Sequence, residues 1–304
     1  MRLWVSSVNY TDDVPFSEEM FTRLGDTYRR IRNTLRILLG NLSDFSADPT
    51  NSGRPQAQPG ELTLVDRWIL QRLEHAISEC RAAYAAYEFH KVYHTLNQFC
   101  AVDLSSLYID ITKDRMYCDA LDSTRRRATQ TAMHAVFTSL TKLLAPVLAF
   151  TAEEAWGYLG QGGSIHLQQF PEQDPERADE DAKQTVHELL QLRGVIGQAV
   201  EQARQDKLIG NALEAAVVLR CDAAALAAVP HEELEEFFIL SDLTLEQANE
   251  TSASISKTPH AKCSRCWRHR PSVGADGAHP ELCERCEEVV AAMSSSTSPL
   301  DVER

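Results

Sequence analysis

The chain has 304 residues, 43% hydrophobic and 24% charged, a balance that excludes wholesale disorder and suits about two domains. Its 44 Asp and Glu against 30 Lys and Arg give a net charge of −14, which at face value argues against a partner as negative as nucleic acid. The longest apolar run, Leu143 to Phe150, is eight residues and contains Pro146, far short of the ~20 residues of a membrane span. The opening Met1-Arg2-Leu3-Trp4-Val5 lacks the apolar stretch of a secretory signal, so a cytoplasmic location and no membrane partner are expected.

Helical periodicity dominates the first half. Between Glu18 and Gly40, Leu24, Tyr28, Ile31, Leu35 and Leu38 recur at steps of four and three, which is one face of an amphipathic helix, and Gly40-Asn41 supplies a stop. Ser46 to Gly60, with three Pro, two Gly and no large apolar residue, reads as a loop. Further helices are predicted at about Leu64–Tyr87, Phe89–Lys113 (buried side Val92, Leu96, Phe99, Leu104, Leu107, Ile111) and Ser123–Leu144. The last opens on a basic turn expected to be exposed, Arg125-Arg126-Arg127, and Pro146 begins or kinks a fifth helix reaching Trp156. Short connections between long helices favour an antiparallel bundle over residues 18–160.

Beyond Gly162-Gly163 the pattern changes. Ser164–Phe170 reads as extended, Glu172–Asp181 as an acidic linker or helix start, Val186–Gln205 as a helix, Leu213–Arg220 as a strand, and Pro230–Leu240 as a helix. Leu243-Thr244-Leu245 is positioned to pair with the strand, which makes 161–250 a small α+β unit. Ser252–Lys262 reads as a polar connector, and Ser294–Arg304 as a disordered Ser-rich tail.

The eight cysteines divide in two. Cys80, Cys100, Cys118 and Cys221 stand singly and read as small buried side chains. Cys263-Ser-Arg-Cys266 and Cys283-Glu-Arg-Cys286, separated by sixteen residues, are two knuckles whose thiolates can converge on one Zn²⁺. Four protein ligands close such a site, so the metal is expected to be structural, with His269 and His279 as bystanders. Six basic residues against three acidic ones between Lys257 and Cys286 make the module locally basic, with its Arg side chains expected to project outwards. Trp267 either covers the knuckle or offers a platform for a base, and packing is the favoured reading.

The first amphipathic helix carries a second signal. At ~100° per residue, Arg29, Arg32, Asn33 and Arg36 fall within about 100° of one another, beside the apolar stripe. No acid occurs from Tyr28 to Leu42, so the ridge suits phosphate contacts as well as it suits a solvated face.

Leu3-Trp4-Val5-Ser6-Ser7-Val8-Asn9-Tyr10-Thr11-Asp12-Asp13-Val14, Tyr28-Arg29-Arg30-Ile31-Arg32-Asn33-Thr34-Leu35-Arg36 and Leu39-Gly40-Asn41-Leu42 resemble the C-terminal part of bacterial isoleucyl-tRNA synthetases. So do Tyr87–Tyr93, Phe99–Ser105, Asp114–Asp119, Lys207-Leu208-Ile209-Gly210 and Lys262–Arg268. Leu144–Pro146 and Phe150–Trp156 are similar to the anticodon-binding bundle of several class I aminoacyl-tRNA synthetases.

The resemblance implies a mainly α chain: a class I synthetase anticodon-binding helical bundle, then a small α+β unit and a C-terminal zinc finger. Its expected segments are 1–17 (junction to a catalytic domain), 18–160 (bundle), 161–250 (α+β subdomain), 257–293 (four-cysteine zinc finger) and 294–304 (tail). It implies one structural zinc on Cys263, Cys266, Cys283 and Cys286, and contacts to isoleucine tRNA through Arg29, Arg32, Asn33, Arg36, Trp267 and Arg268. The family joins isoleucine to tRNA with ATP, in a catalytic domain marked by His-x-Gly-His and Lys-Met-Ser-Lys-Ser. Neither motif occurs here, so no catalytic residue is assigned, ATP binding is expected only in that domain, and a separate catalytic-domain polypeptide is an implied partner. The family is usually monomeric. Two alternatives stand beside this reading: a free-standing tRNA-binding protein, and a DNA-repair protein sharing the zinc finger of formamidopyrimidine-type glycosylases. The second lacks the N-terminal Pro nucleophile, since the chain opens Met1-Arg2-Leu3.

Overall fold

The computed structural model describes residues 1–14, 16–46, 57–160, 162–275 and 278–296. Helices α1 (Arg2–Ser7), α2 (Glu18–Asn41), α3 (Leu64–Ala85) and α4 (Phe89–Gln98) precede a π-helical stretch at Phe99–Tyr108. Then come α5 (Ile109–Cys118), α6 (Thr124–Leu144), α7 (Ala149–Tyr158), α8 (Glu180–Gln205), strand β1 (Ala215–Cys221), α9 (His231–Phe238), β2 (Asp242–Gln247), β3 (Ser252–Lys257) and α10 (Glu284–Ser296). These form two compact units: Met1–Asp110 with Arg127–Lys183, and Ile111–Arg126 with the chain from Gln184 onwards. Residues 111–126, which lie inside the expected 18–160 bundle, belong to the second unit.

The first unit is helical. Ser17 caps α2 by accepting from the Met20 amide, and Glu18 and Glu19 in the first turn complement the helix dipole. The α2 stripe buries Ile31, Leu35 and Leu38 completely and Leu24 and Tyr28 partly, against the π-helical stretch and α7. Every residue of the expected buried side from Val92 to Ile111 is buried. The step of five from Phe99 to Leu104 breaks the α rhythm, and it falls where the backbone widens to a π-helix.

At the start of α3, Thr63 and Asp66 form a capping box. The buried Asp66 carboxylate accepts from the hydroxyls of Thr63 (2.6 Å), Tyr108 (2.7 Å) and Thr129 (3.2 Å), joining three segments of this unit. Instead of an extended run, Ile165–Leu167 forms a 3-10 turn with Ser164 accepting from the His166 amide. The loop expected at 46–60 lies mostly outside the described residues.

In the second unit, β1 is the middle of a three-stranded sheet of order β2-β1-β3. Ala215, Val217, Leu219 and Cys221 alternate inwards, and α9 provides the crossover that lets β2 run parallel to β1, with Val217 opposite Leu243. The connector expected at 252–262 begins with β3, antiparallel to β1, with Val217 opposite Ile255. Its Ser-Ala-Ser-Ile-Ser-Lys sequence hides the strand, because an edge needs only Ala253 and Ile255 half-buried. Arg115 and Glu236 form a solvent-excluded ion pair, with Nε donating to Oε1 at 2.9 Å. Of the expected tail, Ser294–Ser296 complete α10, and residues 297–304 lie outside the described residues.

The basic turn at the start of α6 is not exposed. Arg126 and Arg127 are buried, for identifiable polar reasons. Within the first unit, Arg127 pairs with Asp44 at 2.9 Å. Within the second, Arg126 donates to the Met116 carbonyl at 3.3 Å and Arg125 grips Asp119 through two bonds of 3.0 and 2.9 Å.

Candidate metal centre and nucleic-acid interface

The first knuckle closes through backbone hydrogen bonds from Trp267 to the Cys263 carbonyl (3.0 Å) and from Cys263 to the Arg268 carbonyl (2.9 Å). The turn requires left-handed backbone at Trp267, φ +66°, which aims the indole away from the knuckle. The second knuckle ends in the first turn of α10, which carries Cys286. All four Sγ atoms lie within 4.8 Å of one another, and those of Cys266 and Cys283 are 3.8 Å apart. A tetrahedron of ~2.3 Å Zn–S bonds has S···S edges of about 3.8 Å, so the donor set fits one zinc ion with no position open for substrate.

The four thiols are not alike: Cys266 is pushed up to about 11 and Cys283 and Cys286 are also raised, while Cys263 alone is lowered. Burial pushes the Cys263 thiol up, but backbone N–H groups of Cys266, Cys283 and Arg265 outweigh it and bring Cys263 down to about 7. Arg265 donates to Cys286 Sγ at 3.6 Å and to the Cys118 carbonyl. His269 donates through Nδ1 to the His260 carbonyl at 2.8 Å. Neither His269 nor His279 joins the thiol cluster, so the ligand set is four cysteines without histidine. Cys80, Cys100, Cys118 and Cys221 are single and buried, as read from the sequence.

The arginines around the knuckles turn inwards, contrary to expectation. Arg268 is 7% exposed, donating to the Leu240 carbonyl at 2.8 Å and lying 3.5 Å from Asp114. Arg285 pairs with Asp114, and Arg270 with Glu235 at 2.7 Å. Acidic partners supplied by α5 and α9 thus take up charge that spacing alone assigned to solvent. Arg268 is removed from the set of RNA contacts. Trp267 is corrected the other way: it is 61% exposed rather than packed, with Lys262 Nζ 5.3 Å from the ring centroid.

In the first unit, Arg29, Arg32, Asn33 and Arg36 are all exposed along α2. Arg29 is paired with Asp26, an acid just outside the acid-free stretch. Arg32 and Arg36 have no ion-pair partner among the described residues. Both line an open groove of about 650 Å³ whose other wall is Thr151, Glu154, Ala155 and Tyr158 of α7. Sequence reasoning missed Glu154 and Tyr158, since the α7 segment shows no charge pattern and only folding sets it beside α2. Among the described residues no helix is long and apolar enough to cross a membrane.

A family described as the anticodon-binding domain of tRNA ligase matches residues 66–219. The chain belongs to this family. A second, described as a zinc finger found in FPG and IleRS, matches residues 262–289 and includes all four cysteines. That finger is shared with the DNA-repair alternative and does not discriminate, whereas the anticodon-binding match does.

Among relatives, the isoleucine–tRNA ligase of Geobacter sulfurreducens is 43% identical over 95% of this chain and 32% of its own length. The enzyme of Methylacidiphilum infernorum is 41% identical over 97% of this chain and 32% of its own. That of Symbiobacterium thermophilum is 40% identical over 97% and 33%. The chain therefore spans about a third of the length of these relatives, their C-terminal third. A solved ternary complex of Agrobacterium radiobacter K84 agnB2 LeuRS with tRNA and LeuAMS matches with a TM-score of 0.44 at 14% identity, over 59% of this chain and 20% of that one.

Proposed function

We propose that the chain binds isoleucine tRNA and supplies the anticodon-recognition and zinc-bearing portion of an isoleucine–tRNA ligase. The ATP-dependent attachment of isoleucine would be carried out by catalytic machinery outside these residues. The observation that carries this reading is the pair of unpartnered guanidinium groups, Arg32 and Arg36, on one wall of a groove within a chain that belongs to the anticodon-binding family. The relatives that match nearly the whole chain are isoleucine–tRNA ligases, which favours isoleucine tRNA over other tRNAs.

Arginine is suited to such contacts because its planar fork meets phosphate oxygens bidentately. Arg29 and Asn33 flank the two on the same helix, and Trp267 offers an exposed π-face on the second unit. A zinc ion held by Cys263, Cys266, Cys283 and Cys286 would cross-link the two knuckles and offset two of the four thiolate charges. Site residues of the proposal are thus Cys263, Cys266, Cys283 and Cys286 for zinc, and Arg29, Arg32, Asn33, Arg36 and Trp267 for tRNA.

Filter binding with purified tRNA transcripts tests the reading. Isoleucine tRNA should bind more tightly than unrelated tRNAs, with affinity falling steeply between about 50 and 200 mM salt. Replacing Arg32 and Arg36 together by Ala should lower the salt slope by about two, one for each lost phosphate contact. Equal binding of all tRNAs, or none, overturns the proposal.

A further inference from the structure

A pocket of the second unit, of about 280 Å³, reaches the four-cysteine cluster from one side only. Cys266 and Cys283 line it, one from each knuckle, whereas Cys263 and Cys286 do not. The four sulfurs therefore differ in access although they converge on one point. Cys263 and Cys286 are fully buried, and Arg265 covers Cys286 Sγ further by donating to it at 3.6 Å. Cys266 is half-buried and is the most accessible of the four, and its Sγ lies 3.8 Å from that of Cys283.

The guanidinium groups of Arg125, Arg268, Arg270 and Arg285 line the same pocket. Cations so placed stabilise the charge that builds on an oxygen leaving as hydroxide. A cysteine that coordinates a metal is a thiolate, the form that attacks a peroxide. An accessible thiolate, a second sulfur within reach and cations along the path are together what oxidation of a thiol pair requires.

We propose that Cys266 is an oxidation site for hydrogen peroxide and that Cys283 resolves it, leaving a disulfide between the two knuckles in place of the metal. Cys266 Sγ attacks one peroxide oxygen: the S–O bond forms as the O–O bond breaks, hydroxide leaves, and Cys266 becomes a sulfenic acid. Cys283 Sγ then attacks the Cys266 sulfur: the S–S bond forms as the S–O bond breaks, and a second hydroxide leaves. The two sulfurs together give up two electrons, the peroxide takes them, and both hydroxides are protonated by solvent. Cys263 and Cys286 alone remain as thiolate ligands, half of a closed set, so zinc is released. A thiol reductant cleaves the disulfide and restores the four ligands.

The test uses the full chain loaded with zinc and treated with hydrogen peroxide, with a chromogenic chelator reporting released metal. Zinc release should keep pace with disulfide formation, and peptide mapping by mass spectrometry after alkylation should join Cys266 to Cys283. With peroxide below one equivalent, dimedone, which traps sulfenic acids, should label Cys266 ahead of the other three ligands. Dithiothreitol with added zinc should return the metal content to its starting value. Cys266→His and Cys263→His each keep three thiolates and add a nitrogen ligand, a set that also holds zinc. Cys266→His should release zinc about tenfold more slowly than the parent, whereas Cys263→His, which keeps the accessible pair, should match the parent within about twofold. If either variant fails to hold zinc, the disulfide map and the dimedone label of the parent decide. A disulfide within either knuckle, a first label at Cys263, Cys283 or Cys286, or zinc retained after peroxide treatment overturns the proposal.

Discussion

Arg285 in the first turn of α10 holds Asp114 of α5 through two parallel hydrogen bonds, Nη1 to Oδ2 at 2.8 Å and Nη2 to Oδ1 at 3.0 Å. The residue between Glu284 and the zinc ligand Cys286 is thereby anchored to a helix about 170 positions earlier in the chain. Arg268, one residue after Trp267, reaches the same carboxylate. One aspartate thus secures the flanks of both knuckles.

Asp114 governs stability at low pH. Burial alone would raise its carboxyl, but the hydrogen bond from Arg285 and the charges of Arg268, Arg285 and Arg125 outweigh it and hold it below the usual range. A carboxyl depressed in the folded state contributes stability that is fully present above its unfolded value near pH 4 and is lost as pH falls through the lower folded value. Urea unfolding of the parent should therefore weaken from about pH 5 downwards, and Asp114→Asn should lack this share of the slope. At pH 7, Asp114→Ala should cost about 1–3 kcal/mol, because it removes a shared partner from Arg285, which keeps Asp119, and from Arg268, which keeps the Leu240 carbonyl.

Elemental analysis should find one zinc per chain. Cys286→Ser should lower the stoichiometry well below one and the unfolding midpoint with it, because a site of four cysteine ligands supplies folding energy to a module with little other core. Cys221→Ser, at a buried thiol outside the cluster, should keep the metal.

Arg29 and Arg32 should differ although they share a helix face. Asp26 already compensates Arg29, whereas Arg32 has no such partner among the described residues. Arg29→Ala should weaken tRNA binding only slightly, and Arg32→Ala about fivefold or more in low salt. Asp26→Ala should strengthen binding, read as a lower half-saturation point in the same filter assay.

Trp267 and Arg268 are adjacent and should behave oppositely. Trp267→Ala should weaken tRNA binding about tenfold and leave the unfolding midpoint in place, since the indole is exposed. Arg268→Ala should lower stability by about 1–3 kcal/mol by leaving the Leu240 carbonyl and Asp114 short of a donor.

Much of the local structure was legible in the sequence. The stripe from Leu24 to Leu38 marks α2, and the run from Val92 to Ile111 marks the following buried face, whereas the π-helical widening within it reads in the sequence as ordinary helix. These signals survive because burial of a helix face acts at fixed spacing along one segment. Strand β3 was not legible, since an edge strand buries too little apolar surface to leave an alternating pattern. Nor was the inward turn of Arg126, Arg127 and Arg268, whose partners lie in other segments.

The sequence by itself determined the zinc ligands and the arginine ridge. Two Cys-x-x-Cys knuckles and arginines at helical spacing are local constraints, read without knowing what lies opposite. Only the tertiary structure decided which charges remain available. It placed Asp114, Asp119 and Glu235 against the arginines of the second unit and left Arg32, Arg36 and Glu154 apart around a groove in the first. A net charge of −14 therefore says little about the partner. Coulomb energy falls with distance and is screened by salt, so recognition follows the few charges left unpaired at one surface rather than their sum.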